Sequence, residues 1–143
     1  MLQALQKDYF NMTLEQLIKL GRSFTLLGYF SLLIGLFTWH LIIEPPAKHL
    51  ISIIILLQLG PLMFPLRGLL HGKLYTHAWS MYLAIFYFVV GVWYAGSSED
   101  LMIGLYVIFT SLLFFLGTVL YTRYMGKQLN ANNTSDTPSQ TPE

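Results

Sequence analysis

The sequence predicts an all-α integral membrane protein, an antiparallel up-and-down bundle of four helices with both termini in the cytoplasm. The first observation behind this prediction is composition. Only 10% of the 143 residues are charged and the mean hydropathy is +0.55, whereas soluble domains carry about 25% charged residues. The second observation is that the charged residues leave four long uncharged stretches between them. The third is that the cations gather on one side of those stretches.

The four uncharged stretches run from Ser23 to Ile43, Leu50 to Leu66, Ala78 to Ser98 and Leu101 to Thr122. A helix needs about 20 residues, and at least about 17, to cross a 30 Å hydrocarbon core. None of the stretches shows the apolar and polar alternation of a membrane β-strand. We therefore predict a transmembrane domain over residues 14–125. Its spans are expected near residues 23–43, 50–66, 78–96 and 101–122.

The first helix is expected to follow a short cytoplasmic segment, residues 1–13. Thr13 and Gln16 have the spacing of a capping box, which predicts that the helix begins near Leu14. The apolar stretch that follows is too long for the core of a cleavable signal peptide.

Prolines and glycines mark the expected ends of the later helices. Pro45-Pro46 is predicted to end helix one and open helix two, while Gly60-Pro61 and Pro65 should kink or end helix two. The turn from Gly96 to Asp100 is so short that helices three and four should form an antiparallel hairpin. The composition of residues 126–143, rich in Asn, Thr, Ser, Pro and Gln, predicts a disordered cytoplasmic tail.

The distribution of cations sets the expected orientation. Seven of the eight would share a side with both termini, whereas Lys48 alone would lie on the other side. Because cytoplasmic loops carry an excess of Lys and Arg, this bias predicts that both termini are cytoplasmic. The seven cations are Lys7, Lys19, Arg22, Arg67, Lys73, Arg123 and Lys127.

Small residues recur at near-heptad spacing on three of the predicted helices. Such residues let helix backbones approach closely in lipid, where no hydrophobic force drives association. Packing within the bundle is the favoured interpretation, and an interface with a second copy or another membrane protein is the alternative. Gly28→Leu or Gly91→Leu is expected to weaken assembly, whereas substitutions at Leu112 or Phe114 are expected to matter less. The predicted packing residues are Gly21, Gly28, Gly35, Ala84, Gly91, Gly104, Ser111 and Gly117.

Candidate chemistry inside the predicted spans is sparse. All seven acids lie outside them, which disfavours ion-coupled transport. Gln58 is the candidate intramembrane polar site, where it would either bond a neighbouring helix or contact a polar solute. The sequence has no cysteine, and its four histidines match no metal motif. We therefore predict no catalytic residue, metal or cofactor, and the net charge of +1 argues against a nucleic-acid partner.

The segment from Pro61 to Trp79, PLMFPLRGLLHGKLYTHAW, is the most unusual part of the chain. Its cations and leucines together are typical of the headgroup layer, so it is a candidate loop for a lipid headgroup or a cytoplasmic partner. An ordinary cationic hairpin is the simpler interpretation. The candidate residues are Arg67, His71, Lys73, Tyr75 and His77.

This segment, together with Phe86-Tyr87-Phe88, Gly91-Val92 and Phe115-Leu116-Gly117, resembles the bacterial family called domain of unknown function 2069. The resemblance covers about residues 20–125 and implies a small multi-pass protein of the bacterial inner membrane. The family brings no assigned activity.

Two functional hypotheses remain from the sequence. The leading one is a non-enzymatic accessory or scaffold protein that acts through helix–helix and cytoplasmic-loop contacts. Its partners would be the lipid bilayer and either another membrane protein or a second copy of the chain. The alternative is a small transporter or carrier of a neutral or lipid-like solute, which would depend on Gln58.

Overall fold

The computed structural model describes residues 1–43 and 51–135, and every regular element in these two ranges is helical. This confirms the all-α class for the described part of the chain. Helix α1 continues into a short π-helical turn, and the 5-residue α3 links α2 to α4. The elements are α1 (Leu2–Thr38), the π-helical turn (Trp39–Ile43), α2 (Ile51–Met63), α3 (Leu66–Leu70), α4 (Leu74–Ala95) and α5 (Leu101–Ser135).

In the described part of the chain, three continuous helical segments are long and apolar enough to cross a membrane, namely α1 together with its π-helical turn, α4 and α5. Helix α2 has 13 residues, or about 20 Å at 1.5 Å per residue, which is less than a 30 Å core requires. Helix α2 is therefore shorter than the span expected over residues 50–66, and it is too short to cross the core alone. The helix runs through Pro61 and ends at Met63, because Pro65 has no backbone N–H to extend it. The expected break at Pro45-Pro46 lies outside the described residues.

Helix α1 begins earlier than the sequence indicated. It starts at Leu2 rather than near Leu14, and residues 2–13 contain neither proline nor glycine to stop it. Thr13, the expected cap, instead donates its hydroxyl to the carbonyl of Tyr9 at 2.9 Å, as a residue within a helix does.

Helix α5 ends later than the sequence indicated. It continues to Ser135, so the prediction of disorder over residues 126–143 is wrong for residues 126–135. Its polar end contains no proline, and Thr134 donates its hydroxyl to the carbonyl of Asn130 at 2.9 Å. The remaining residues of the predicted tail lie outside the described part.

Helix α5 is the central element of the bundle, because it packs against α1 and also against α4. Gly21 and Gly28 of α1 meet the backbone of Tyr121 and Phe114 of α5. Residue numbers rise along one helix as they fall along the other, so α1 and α5 run antiparallel. The core between the helices consists of Tyr29, Leu32, Leu36, Leu62, Leu69, Ala84, Tyr87, Ile103, Val107 and Phe114.

The outside of the bundle is also covered with large apolar side chains. Trp93 of α4 is 82% exposed and Phe109 of α5 is 69% exposed, and α1 and α2 present Ile34 and Leu57 in the same way. A soluble monomer seldom exposes an apolar surface of this extent. In a bilayer the same surface contacts acyl chains, which are as apolar as leucine.

Candidate functional site

Gly21 and Gly28 of α1 and Gly91 of α4 lie where two helix backbones touch. A Cβ atom added to Gly28 would be 2.6 Å from the backbone nitrogen of Phe114, and one added to Gly21 would be 2.7 Å from that of Tyr121. A Cβ atom on Gly91 would be 2.8 Å from the backbone nitrogen of Ile108. Only a residue without a side chain permits such contacts, so these glycines set the distances between α5 and its neighbours.

The other predicted packing residues complete the same two interfaces. Gly117 lies against Thr25, Gly104 lies against Ala95, and Gly35 lies against the ring of Tyr106. Ala84 and Ser111 are both buried between α4 and α5. In the described part of the chain, the small residues thus serve contacts within one molecule.

Phe114 departs from its expected minor role. Its ring is fully buried, its backbone meets Gly28, and its centroid lies 5.7 Å from that of Tyr29. This burial contradicts the expectation that substitution of Phe114 matters less than substitution of the glycines, because the ring belongs to the core and the backbone of the same residue meets Gly28. Leu112 is 44% exposed on the outside of α5, consistent with a minor role.

A cationic turn, defined here as residues Arg67 to Lys73, is fixed to one end of the bundle. The guanidinium of Arg22 donates to the carbonyl of Leu70 at 2.7 Å, and the hydroxyl of Tyr121 donates to the carbonyl of Gly72 at 2.6 Å. Gly72 has a φ of +66°, a conformation that favours glycine. The fully buried Leu69 anchors the turn to the core.

Four of the five candidate loop residues share the exposed surface of this turn and the start of α4. They are Arg67, His71, Lys73 and Tyr75. His77 is fully buried and does not join them. Its ring stacks on that of Tyr121 with centroids 3.9 Å apart, and its Nδ1 lies 3.0 Å from the carbonyl oxygen of Lys73.

Gln58 belongs to a relay of hydrogen bonds that joins α2, α4 and the π-helical turn that follows α1. Its Nε2 donates to the hydroxyl of Tyr94 at 3.0 Å, and that hydroxyl lies 3.4 Å from Nε2 of His40. Nδ1 of His40 lies 3.0 Å from the carbonyl of Leu36, which can only accept. In the neutral ring Nδ1 would then carry the proton, which leaves Nε2 to accept from Tyr94 while Tyr94 accepts from Gln58.

Two further tyrosines bond the backbone of α2 near Pro61. The hydroxyl of Tyr87 donates to the carbonyl of Gln58, and that of Tyr29 donates to the carbonyl of Leu62. The carbonyls in the last turn of a helix lack partners within the helix, and lipid cannot supply them. Leu62 lies in that last turn, so the bond from Tyr29 also satisfies its carbonyl within the core.

These features define a class of protein, a small helical membrane protein whose core depends on backbone contact at glycines. Comparison with protein families gives the particular group. The chain belongs to the family described as predicted membrane protein (DUF2069), whose model matches residues 24–126. This confirms the resemblance carried by the segment from Pro61 to Trp79. No curated protein and no solved structure matches the chain.

Proposed function

We propose that the chain is a non-enzymatic accessory protein of the bacterial inner membrane. It crosses the membrane four times, with both termini in the cytoplasm, and holds the cationic turn against acidic phospholipid headgroups. The observation that carries the proposal is the fixed turn: Arg22 and Tyr121 bond its backbone, while Arg67, His71 and Lys73 stay exposed. Since the glycines are occupied within the molecule, a protein partner or second copy would bind through another face.

The contacts of α2 and α3 support a fourth crossing. Leu62 meets Tyr29 of α1, and Leu70 meets Arg22. Gln58 connects through Tyr94 to His40. Arg22 of α1 and His40 of the π-helical turn are 18 residues apart, which is about 27 Å along a helix. Helices α2 and α3 together therefore accompany α1 over nearly the thickness of a hydrocarbon core.

The two ends of the bundle differ in charge, which supports the orientation. Arg22 and the cationic turn lie at one end, and Arg123 follows Tyr121 at that same end. The turn between α4 and α5, at the other end, carries Glu99 and Asp100 and no cation. The positive-inside rule assigns the cationic end to the cytoplasm.

Large apolar side chains close to the cationic turn favour a lipid surface over a soluble partner. Phe64 is 88% exposed just before the turn, and Tyr75 and Trp79 are exposed just after it. Aromatic and apolar groups beside cations are typical of the membrane interface. Each Lys or Arg near an acidic membrane surface contributes about 1 kcal/mol of attraction.

Reporter fusions test the topology. We expect a fusion at Ser97 to give periplasmic alkaline phosphatase activity, and a fusion after Glu143 to give cytoplasmic green fluorescence. The physical reason is that the α4–α5 turn and the C-terminus lie at opposite ends of the bundle under this proposal. Alkaline phosphatase activity from fusions at both positions, or green fluorescence from fusions at both positions, would contradict the four-span topology.

Lipid binding tests the role of the cationic turn. We expect the purified protein in mild detergent to bind short-chain phosphatidylglycerol in preference to phosphatidylcholine. The double variant Arg67→Gln, Lys73→Gln should weaken binding to phosphatidylglycerol by about tenfold to thirtyfold, since two cations are lost. The measurement is a titration followed by native mass spectrometry.

The matched control removes two exposed cations elsewhere. Lys7 lies near the start of α1 and Lys127 lies in α5, both outside the turn. The double variant Lys7→Gln, Lys127→Gln should keep the preference for phosphatidylglycerol. An equal loss in both double variants would show that net charge, and not the fixed turn, determines lipid binding.

A carrier of a neutral or lipid-like solute is the alternative function. The observation that favours it is that Gln58 and Tyr94 line a groove on the surface between α2 and α4. A carrier must open its site alternately to the two sides of the membrane. This groove is bordered by exposed apolar side chains, which makes it accessible from lipid, so the accessory role is the better supported.

A further inference from the structure

A groove with a volume of about 370 Å³ lies at the cationic end of the bundle, and we call it the interfacial groove. One wall is the end of α2 with the residues that follow it, and the other wall is the first half of α4. None of the lining residues is charged. Phe64, Tyr75 and Trp79 line the groove and are also exposed, so it is open to the outside of the bundle.

The interfacial groove runs from the cationic end of the bundle toward its middle. Tyr75, Trp79 and Leu83 follow one another at intervals of four residues, so they form one stripe along α4. From Tyr75 to Leu83 the helix rises by about 12 Å. Under the proposed orientation, this stripe leads from the headgroup layer into the hydrocarbon core.

The cationic turn borders the groove at its outer end. Arg67 follows Pro65 of one wall by two residues, and Lys73 precedes Tyr75 of the other wall by two residues. Gly68 of the turn lies directly against Thr76, which also lines the groove. Residues 51–98 contain no Asp or Glu. The turn and both walls of the groove therefore present positive charge to a ligand and no negative charge.

We propose that the interfacial groove holds one acyl chain of an acidic phospholipid whose phosphate lies against Arg67 and Lys73. This inference rests on the proposed function, since the same cationic turn attracts the headgroup. It adds a site for a single lipid molecule, in which the chain lies between Phe64 and Trp79. Binding sites of this kind combine an apolar lining with a few placed polar groups that fix the orientation of the ligand.

The chemistry of the site selects an acidic phospholipid over other ligands. A soluble anion would be attracted to the cations but would leave the groove empty. A phosphatidylcholine would fill the groove but would add its own cation close to Arg67 and Lys73. A polar chain would find few donors, because the hydroxyl of Ser80 already donates to the carbonyl of Thr76 at 2.7 Å.

Quenching of tryptophan fluorescence in lipid vesicles tests the proposal on the full chain. The protein has three tryptophans, so the double variant Trp39→Phe, Trp93→Phe retains Trp79 alone. We expect phosphatidylglycerol with brominated acyl chains to quench Trp79 at about tenfold lower mole fraction than brominated phosphatidylcholine, because two cations hold its headgroup. The quenching should saturate, as for a single site. Equal quenching by the two lipids would overturn the proposal.

Trp93 provides the matched control. It is exposed on the same helix but near the end that carries Glu99 and Asp100, away from the interfacial groove. In the double variant Trp39→Phe, Trp79→Phe, the two brominated lipids should quench Trp93 equally. A preference for phosphatidylglycerol as large as that at Trp79 would mean that acidic lipid surrounds the whole bundle, and this would reject a site in the groove.

Removing one wall separates the groove from the charge beside it. In the variant that retains Trp79 alone, Phe64→Ala should reduce the tenfold preference to less than about threefold, although both cations remain. Phe109→Ala makes the same chemical change on the outside of α5 and should leave the preference intact. An undiminished preference in Phe64→Ala would overturn the proposal.

The two measurements distinguish failure of this inference from failure of the proposed function. If phosphatidylglycerol binds preferentially in native mass spectrometry but Trp79 is quenched equally by both lipids, the turn holds the headgroup and the groove does not hold the chain. Loss of the preference in both measurements would reject both proposals. Weaker quenching of Trp79 by either lipid at higher ratios of protein to lipid would show that a second copy covers the groove, which would also overturn the inference.

Discussion

Gly28→Leu is expected to separate α1 from α5 and to lower the free energy of unfolding by about 3 kcal/mol. Even a Cβ atom at Gly28 would lie 2.6 Å from the backbone nitrogen of Phe114 and 2.8 Å from its Cα. A flexible side chain could rotate away, but a helix backbone cannot. The interface must therefore open, and the contacts on both sides of Gly28 are lost.

Gly126→Leu is the matched control for this variant. Gly126 also lies within a long helix, yet a Cβ atom there would meet nothing within 4 Å. Leucine is a better helix former than glycine, so this change should be neutral or stabilising by up to about 1 kcal/mol. Gly28→Leu should thus destabilise the protein, whereas Gly126→Leu should not. Equilibrium unfolding in sodium dodecyl sulfate, followed by circular dichroism, measures both.

Gly28→Ala gives the more discriminating comparison, because alanine adds the single carbon atom that the geometry forbids. It should destabilise the protein, whereas Gly126→Ala should not. Equal effects of the two alanine variants would mean that α1 and α5 do not touch at Gly28 in the membrane. Gly91→Ala should behave like Gly28→Ala at the α4–α5 interface.

The sequence predicts which small residues pack but not what they pack against. Spacing along one helix identifies Gly21, Gly28 and Gly117 without reference to any other helix. The register between α1 and α5 depends on contacts between residues far apart in the chain, such as Gly28 with Phe114. A phenylalanine in an apolar stretch looks the same whether it faces lipid or a glycine, so Phe114 could not be distinguished.

The relay at Gln58 is hidden from the sequence for the same reason. Gln58 stands out as an amide in an apolar stretch, but His40 and Tyr94 each look like ordinary interfacial residues. They are 54 positions apart in the chain and meet only because the π-helical turn and α4 bring them together. No local pattern relates the three side chains.

The ends of the helices were hard to predict from composition alone. The polar composition of residues 126–143 predicts disorder, and the capping box of Thr13 and Gln16 predicts a helix start near Leu14. The polarity of the side chains determines which part of a helix lies in the membrane. Proline and glycine, and not polarity, determine where the helix itself ends. Residues 2–13 and 127–135 contain no proline or glycine, so α1 and α5 continue through them. Conversely, Pro65 prevents α2 from extending to Leu66.

Phe114→Ala is expected to lower the free energy of unfolding by about 3 kcal/mol. The fully buried ring lies beside the ring of Tyr29, and the backbone of the same residue meets Gly28. Its removal leaves a cavity whose walls lose their van der Waals contacts. The same titration in sodium dodecyl sulfate measures the loss.

Phe109→Ala makes the identical chemical change on the same helix, and it separates packing from hydrophobicity. Phe109 is 69% exposed on the outside of α5. Lipid acyl chains are as apolar as the ring itself, so removing an exposed ring replaces one apolar contact with another. Phe109→Ala should therefore change the free energy of unfolding by less than about 0.5 kcal/mol. Equal destabilisation by Phe114→Ala and Phe109→Ala would show that Phe114 is not in the interior of the bundle while Phe109 is outside it. If only Phe114→Ala is destabilised, shape complementarity between α1 and α5 is what stabilises the fold.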